Sequence, residues 1–232
     1  MAKKHSALLM RTYVILVFCF MYLPIAVMIA FSFNESKSRS NFTGFTLDWY
    51  KSLFHNEMIL SALGLSLVLA LVSSVIATVL GTAASLGIAS MGRKSRPVVT
   101  NITYIPVVNP EIITGISLML LFVAYQRFAG GLDFLPDSIM GLPTLLIAHI
   151  TFNIPYVILS IMPKLRQMDK NLVDAAQDLG CTWMQAFWKV VVPEIKPGII
   201  NGLLIAFTMS VDDFVISYFT AGSSSSTLAM TI

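Results

Sequence analysis

The sequence predicts an all-α integral membrane protein with five transmembrane helices, and three observations predict it. Of 232 residues, 56% are apolar and only 12% are charged, about half the charged share of a soluble domain. Apolar segments recur at the length, roughly 20 residues, needed to cross a hydrocarbon core about 30 Å thick. The basic residues gather in alternate connecting segments, as they do where short loops face the cytoplasm.

The spans read as 13–33, 60–90, 98–124, 142–162 and 197–219. Around them lie an N-terminal segment, 1–12, and connecting segments 34–59, 91–97, 125–141 and 163–196. Residues 220–232 form a turn and the start of a further segment. With the N-terminus inside, the inner segments carry Lys3, Lys4, Arg11, Arg93, Lys94, Arg96, Lys164, Arg166, Lys170, Lys189 and Lys196. The outer segments carry Lys37, Arg39, Lys51 and Arg127, and no Lys or Arg falls within a span. This asymmetry predicts a multi-pass membrane protein with a cytoplasmic N-terminus.

The first span, at 21 residues, exceeds the apolar core of a secretion signal, about 7–15 residues, and reads as an uncleaved helix. Five spans then leave residue 232 outside, just after the Ser-rich turn 222–226, so a sixth, returning helix is expected beyond it. The net charge of +3 is dispersed between apolar segments. It forms no basic face with interleaved aromatics, which argues against nucleic acid as a partner. Cys19 and Cys181 stand too far apart in sequence and setting to suggest a disulfide or metal framework.

In the second span Ser73, Ala77, Gly81, Ser85 and Ala89 recur every fourth residue. Small residues at that spacing let helix backbones approach closely. An internal contact and a seam between subunits both fit. Around its end, Gly87, Gly92, Arg93, Lys94 and Ser95 approach a phosphate-binding loop. Arg93 breaks the pattern, and the run ends a membrane helix and meets Pro97, where that motif joins a strand to a helix. Any ATP hydrolysis must therefore come from a separate chain.

The most structured connecting segment is 163–196, whose core reads DAAQDLGCTWMQAFWKVVVP from Asp174 to Pro193. Asn171 can cap a helix holding Leu172, Val173, Ala175, Ala176 and Leu179, with Asp174 favoured near its positive end. Gly180 can end that helix in a left-handed turn. Trp183, Met184, Phe187 and Trp188 then form a second helix anchored on the bundle, and Pro193 supplies a stop. An amphipathic helix resting on headgroups would explain the tryptophans, though not the small-residue helix, glycine break and proline in this order.

These residues resemble the EAA signature of ABC importer permeases: Glu-Ala-Ala, three residues, Gly, nine residues, Ile, one residue, Leu, Pro. Asp174, Ala175 and Ala176 stand at its opening, Gly180 at its glycine, Val190 and Val192 at its aliphatic places and Pro193 at its end. Asp174 replaces Glu with an arm one methylene shorter. The resemblance implies the type I permease helical bundle. It also implies a coupling helix seated in a cleft of an ATPase subunit that binds the ATP and Mg, with no cofactor in this chain.

Ionisable residues within spans are costly and mark functional sites by default. Glu111 lies about 14 residues into the third span, and Asp212 with Asp213 about 15 to 16 into the fifth. At 1.5 Å per residue they share a depth of roughly 21 to 24 Å from the inner end, and His149 in the fourth span falls near the same level. A carboxylate layer suits a cationic cargo, which must exchange hydration for fixed charge. Pairing with basic residues of a partner subunit is the alternative. Tyr104, Tyr156, Phe214 and Tyr218 could offer aromatic faces to ammonium groups, or serve as packing and interfacial aromatics. Pro106, Asn109 and Pro110 interrupt the third span and Pro155 the fourth, freeing carbonyls for a pathway or simply kinking the helix.

Over essentially the whole chain, FTLDWYKSLF, IPVVNPEIITGISL, the coupling segment and MSVDDFVISYF are similar to permeases of spermidine/putrescine importers. That resemblance implies a heterodimer with a homologous second permease, two ATP-binding subunits and a periplasmic substrate-binding protein delivering polyamine. Another small cation, iron, an opine or a sugar remains open as cargo, since related permeases share the same loop. A proton-driven transporter would explain Glu111, His149 and the Asp pair as a relay, but not the coupling segment. Catalysis is not expected: no nucleophile with a nearby base and no metal-spaced His/Cys/Glu set stands out.

Overall fold

A computed structural model describes residues 2–37, 41–129, 140–169, 171–222 and 225–232. Arg39, Lys170, residues 130–139 of the third connecting segment and residues 223–224 of the Ser-rich turn lie outside the described residues. Among the described residues the structure is helical and has no strand, only an isolated antiparallel bridge between Asn34 and Phe45. Five helical stretches are long and apolar enough to cross a membrane: Met10–Phe31, Glu57–Ser90, Glu111–Phe128, Leu142–Gln167 and Trp183–Val211.

The chain divides into two compact units, Met1–Leu60 and Ser61–Ile232. In the first, α1 (Ala2–Phe31) leads into a segment held by Asn34, and α2 (Asp48–His55) follows. The buried Asn34 side chain donates to Asn41 O at 2.8 Å and accepts from Thr43 N at 2.8 Å. Phe33 stacks on Phe45 and Tyr50, with both centroid distances 5.3 Å.

The second unit holds most of α3 (Glu57–Ser90), then α4 (Ser95–Val108), α5 (Glu111–Ala129) and α6 (Leu142–Gln167). Beyond these come α7 (Asn171–Asp178), α8 (Trp183–Ala186), a π-helical turn Phe187–Val191, α9 (Val192–Val211), α10 (Val215–Thr220) and α11 (Leu228–Thr231). At its centre α6 packs antiparallel to α9 and α10 in a continuous register. Thr144 Oγ1 donates to Thr220 O at 2.9 Å, His149 Nε2 meets Ser217 Oγ at 3.1 Å and Asn153 Nδ2 donates to Ser210 Oγ at 2.7 Å. Val157 then faces Gly202, and Ser160 with Ile161 faces Gly198. A Cβ on Gly198 would stand 2.9 Å from Ser160 O, so only glycine permits this approach.

The small-residue stripe of α3 serves an internal contact. Ser73, Ala77, Gly81 and Ser85 are buried, and a Cβ on Gly81 would lie 2.7 Å from Val157 Cγ1. Val157 is therefore pinched between the glycines of two helices. Apolar residues of α3, α6 and α9 fill the core around this crossing, among them Ile88, Ile158, Ile161, Ile195 and Ala206.

The third and fifth spans read from the sequence, 98–124 and 197–219, are each broken. Asn109, between α4 and α5, is extended at φ −71°, ψ 141°, because a following proline excludes the helical region. Pro110 then opens α5. The fifth span breaks at Asp212–Phe214, between α9 and α10. At its other end, helix continues through Pro193, where a stop was expected. The π turn explains this: Val192 N donates to Phe187 O, five residues back. The wider turn accommodates a residue that has no N–H and crowds the carbonyl four residues before it.

Candidate functional site

The two acidic positions of the fifth span have opposite environments. Asp212 is exposed and forms the C-cap of α9. Asp213 is buried: its Oδ1 accepts from Ile216 N at 3.2 Å and its Oδ2 from Ser217 N at 2.7 Å. Asp213 thus occupies the free amides that open α10, where a carboxylate is favoured. Its Oδ2 also lies 3.6 Å from His149 Nε2. The structure brings together the Asp213 and His149 that the sequence put at one level, in a sealed contact within the bundle.

Sequence reasoning missed the rest of this polar seam. Ser73 Oγ meets Ser210 Oγ at 3.1 Å, joining α3 to Asn153 of α6 through a shared hydroxyl. Ser217 links His149 to α10. Polar groups in lipid must find partners inside the protein, so a run of Ser, Asn and His inside apolar spans was the available signal.

Glu111 is exposed and stands in the first turn of α5. Helix α5 packs on α10 at Gly115, where a Cβ would lie 3.0 Å from Phe219 and 3.5 Å from Val215 O. Alternate spans run in the same direction, so α5 and α10 are parallel. Glu111 precedes Gly115 by four residues and Asp212 precedes Ile216 by four, so both exposed carboxylates come before this contact, toward the N-terminal ends of α5 and α10. Each also adjoins a helix C-terminus, that of α4 or α9, whose last carbonyls are unpaired within the helix and carry partial negative charge.

The aromatic candidates divide as well. Phe214 and Tyr218 are exposed and stack at 5.7 Å beside the α9–α10 break. Tyr104 is exposed on α4. Tyr156 is half-buried and packs against Phe152 at 5.3 Å.

In the coupling segment, Gly180 has φ +86°. Its N–H donates to Gln177 O at 2.8 Å, while Cys181 N donates to Ala176 O at 3.1 Å. This pair of bonds is the Schellman closure of α7. Asp169, rather than Asn171, supplies the side-chain acceptor at the start of α7: its Oδ1 accepts from Asn171 N at 3.0 Å, and Asn171 is already helical. Thr182 caps α8 reciprocally with Gln185, at 3.3 and 3.0 Å. Phe187 and Val173 pack on the α6–α9 core, whereas Trp183 and Trp188 are 61% and 62% exposed. The anchor is therefore Phe187, and the tryptophans lie outward with Leu179 and Met184. Asp174 and Ala175 are exposed, Ala176 is buried, and Pro193 is exposed in the first turn of α9.

Five apolar spans, two of them broken beside exposed carboxylates, and a helical elbow between the last two define a multi-pass membrane transport subunit. The chain belongs to the family described as binding-protein-dependent transport system inner membrane component, which matches residues 77–232. It is 38% identical to the putrescine transport system permease protein PotI of Escherichia coli K12 over 93% of this chain and 75% of that one. It is 31% identical to the spermidine/putrescine transport system permease protein PotC of the same strain, over 93% and 78% of the two chains. The PotC of Haemophilus influenzae is 29% identical over 97% of this chain and 83% of its own.

Proposed function

We propose that this subunit forms half of an ATP-driven import path for putrescine or spermidine, with Glu111 and Asp212 receiving the ammonium groups. The observation that carries this reading is the pair of helix breaks that precede α5 and α10, two helices packed together at Gly115. A cation entering there meets two exposed carboxylates and the carbonyl ends of α4 and α9. All four favour positive charge, which a polyamine carries and a neutral sugar lacks. Phe214 and Tyr218 supply aromatic faces beside the same break. The names of the relatives support the same cargo.

In this reading Asp213 and His149 hold the α9–α10 break in shape and do not touch cargo. The N-terminus is cytoplasmic, as the Lys/Arg asymmetry supports, and the α7–Gly180–α8 elbow docks on an ATPase subunit. Leu179, Trp183, Met184 and Trp188 offer it an apolar surface. A homologous second permease completes the path, a second ATPase pairs with the first, and a periplasmic binding protein delivers the polyamine. ATP and Mg bind the ATPase chains.

Reconstitution of the whole complex tests the reading. With ATP supplied and the proton gradient collapsed, labelled putrescine and spermidine should still accumulate, and unlabelled polyamine but not a neutral sugar should compete. Loss of uptake on collapsing the gradient, with ATP still present, would favour the proton-relay mechanism instead.

A further inference from the structure

We infer that the first unit carries a binding site for a membrane phospholipid with an anionic headgroup, in the groove between the end of α1 and α2. This groove has a volume of about 580 Å³, within the range of small-molecule sites. Val27, Met28 and Phe31 of α1 and Leu53 of α2 line its apolar part, while Ser32 and Lys37 line its polar part. Such a division matches one ligand with an acyl chain and a charged head.

Three further observations make lipid the occupant. The groove lies at the last turn of a candidate span, where the hydrocarbon core gives way to headgroups. Helix α2 is amphipathic: at 100° per residue, Trp49, Tyr50, Leu53 and Phe54 fall on one arc, and Asp48, Lys51, Ser52 and His55 on the other. That pattern, with Trp and Tyr on the apolar arc, suits a helix lying at the interface.

Charge is also sorted around Trp49. The Lys37 ammonium stands 5.8 Å from the Trp49 ring centroid and borders the groove. Glu35 and Asp48 line a different, smaller pocket that also touches Trp49. Lys51 pairs with Asp48 at 3.2 Å, and this hydrogen bond holds the Asp48 carboxyl below its usual range. The groove thus presents a cation, and the acids face elsewhere.

The test uses the assembled complex in nanodiscs containing phosphatidylglycerol or phosphatidylcholine with a photoreactive group on the acyl chain. Mass spectrometry then maps the labelled residues. Labelling at 27–31 should favour phosphatidylglycerol, and Lys37→Gln should lower that preference about five-fold, the usual effect of one basic residue at an anionic surface. Met28→Trp, which fills the groove, should abolish labelling there while the exposed face of α3 stays labelled. Labelling equal for both lipids and unmoved by Lys37→Gln would mean ordinary boundary lipid and would overturn the site. So would capture of a helix of the partner permease by a photoreactive residue at position 53. Lys37 is exposed, so Lys37→Gln remains informative if Met28→Trp fails to assemble.

Discussion

The Asp213 carboxylate sits 3.6 Å from His149 Nε2 while accepting two backbone N–H groups at the start of α10. A residue whose position alone suggests a cargo contact is thereby committed to holding the second half of a broken span. Its neighbour Asp212, one residue earlier, is exposed. The functional difference between adjacent aspartates follows from which one reaches the free amides of α10.

Asp213→Ala should therefore destabilise the assembled complex by about 1–2 kcal/mol, the usual cost of losing a helix cap. Asp213→Asn, which keeps an acceptor, should cost less, and Asp212→Ala less still. Thermal unfolding of the purified complex in detergent measures all three. Equal midpoints for Asp212→Ala and Asp213→Ala would contradict the capping role.

Two glycine substitutions should have opposite signs. Gly198→Ala places a Cβ 2.9 Å from Ser160 O and 3.2 Å from Ile161 Cα, so α6 and α9 must separate, at a cost of about 1–3 kcal/mol. Gly87→Ala meets no atom within 4 Å and lies inside α3, where alanine should add roughly 0.5–1 kcal/mol. The same unfolding measurement resolves the pair.

At the coupling elbow, Gly180→Ala must hold φ +86° with a Cβ, at a cost of about 1–2 kcal/mol. No atom lies within 4 Å of that Cβ, so insertion and assembly should survive. Substrate-stimulated ATPase activity should fall, and fall further for Gly180→Arg, which adds bulk to the proposed docking surface. Normal stimulation in Gly180→Arg would remove the elbow from the coupling path.

Thr182→Ala removes one half of the Thr182–Gln185 exchange and should weaken α8 by about 1 kcal/mol. Faster amide hydrogen exchange over 183–186, with α6 unchanged, is the expected signature.

Much of this architecture is legible in the sequence because lipid enforces simple rules. Span count follows from apolar length, and the break before Glu111 from Pro110. The turn at Gly180 follows from a glycine after a short amphipathic run. Less legible are features set by contacts distant in sequence. Nothing local distinguishes Asp212 from Asp213, because the distinction depends on how α10 restarts and on His149, 64 residues earlier. Trp183 and Trp188 read as anchors by composition, yet Phe187 takes the buried side of that turn. The capping pair Thr182 and Gln185 had the right spacing to be found. The π turn did not, since it forms only where the helix must carry Pro193 without a break.

Uptake of labelled putrescine and spermidine by reconstituted complexes carrying Glu111→Gln, Asp212→Asn or both tests the central claim most directly. Each removes a charge expected to contribute about 1.5–3 kcal/mol through charge-assisted hydrogen bonds. The account predicts at least a ten-fold fall in transport efficiency for each, a larger fall for the double variant, and unchanged assembly. Wild-type uptake by the double variant, in a complex assembled normally, would contradict it.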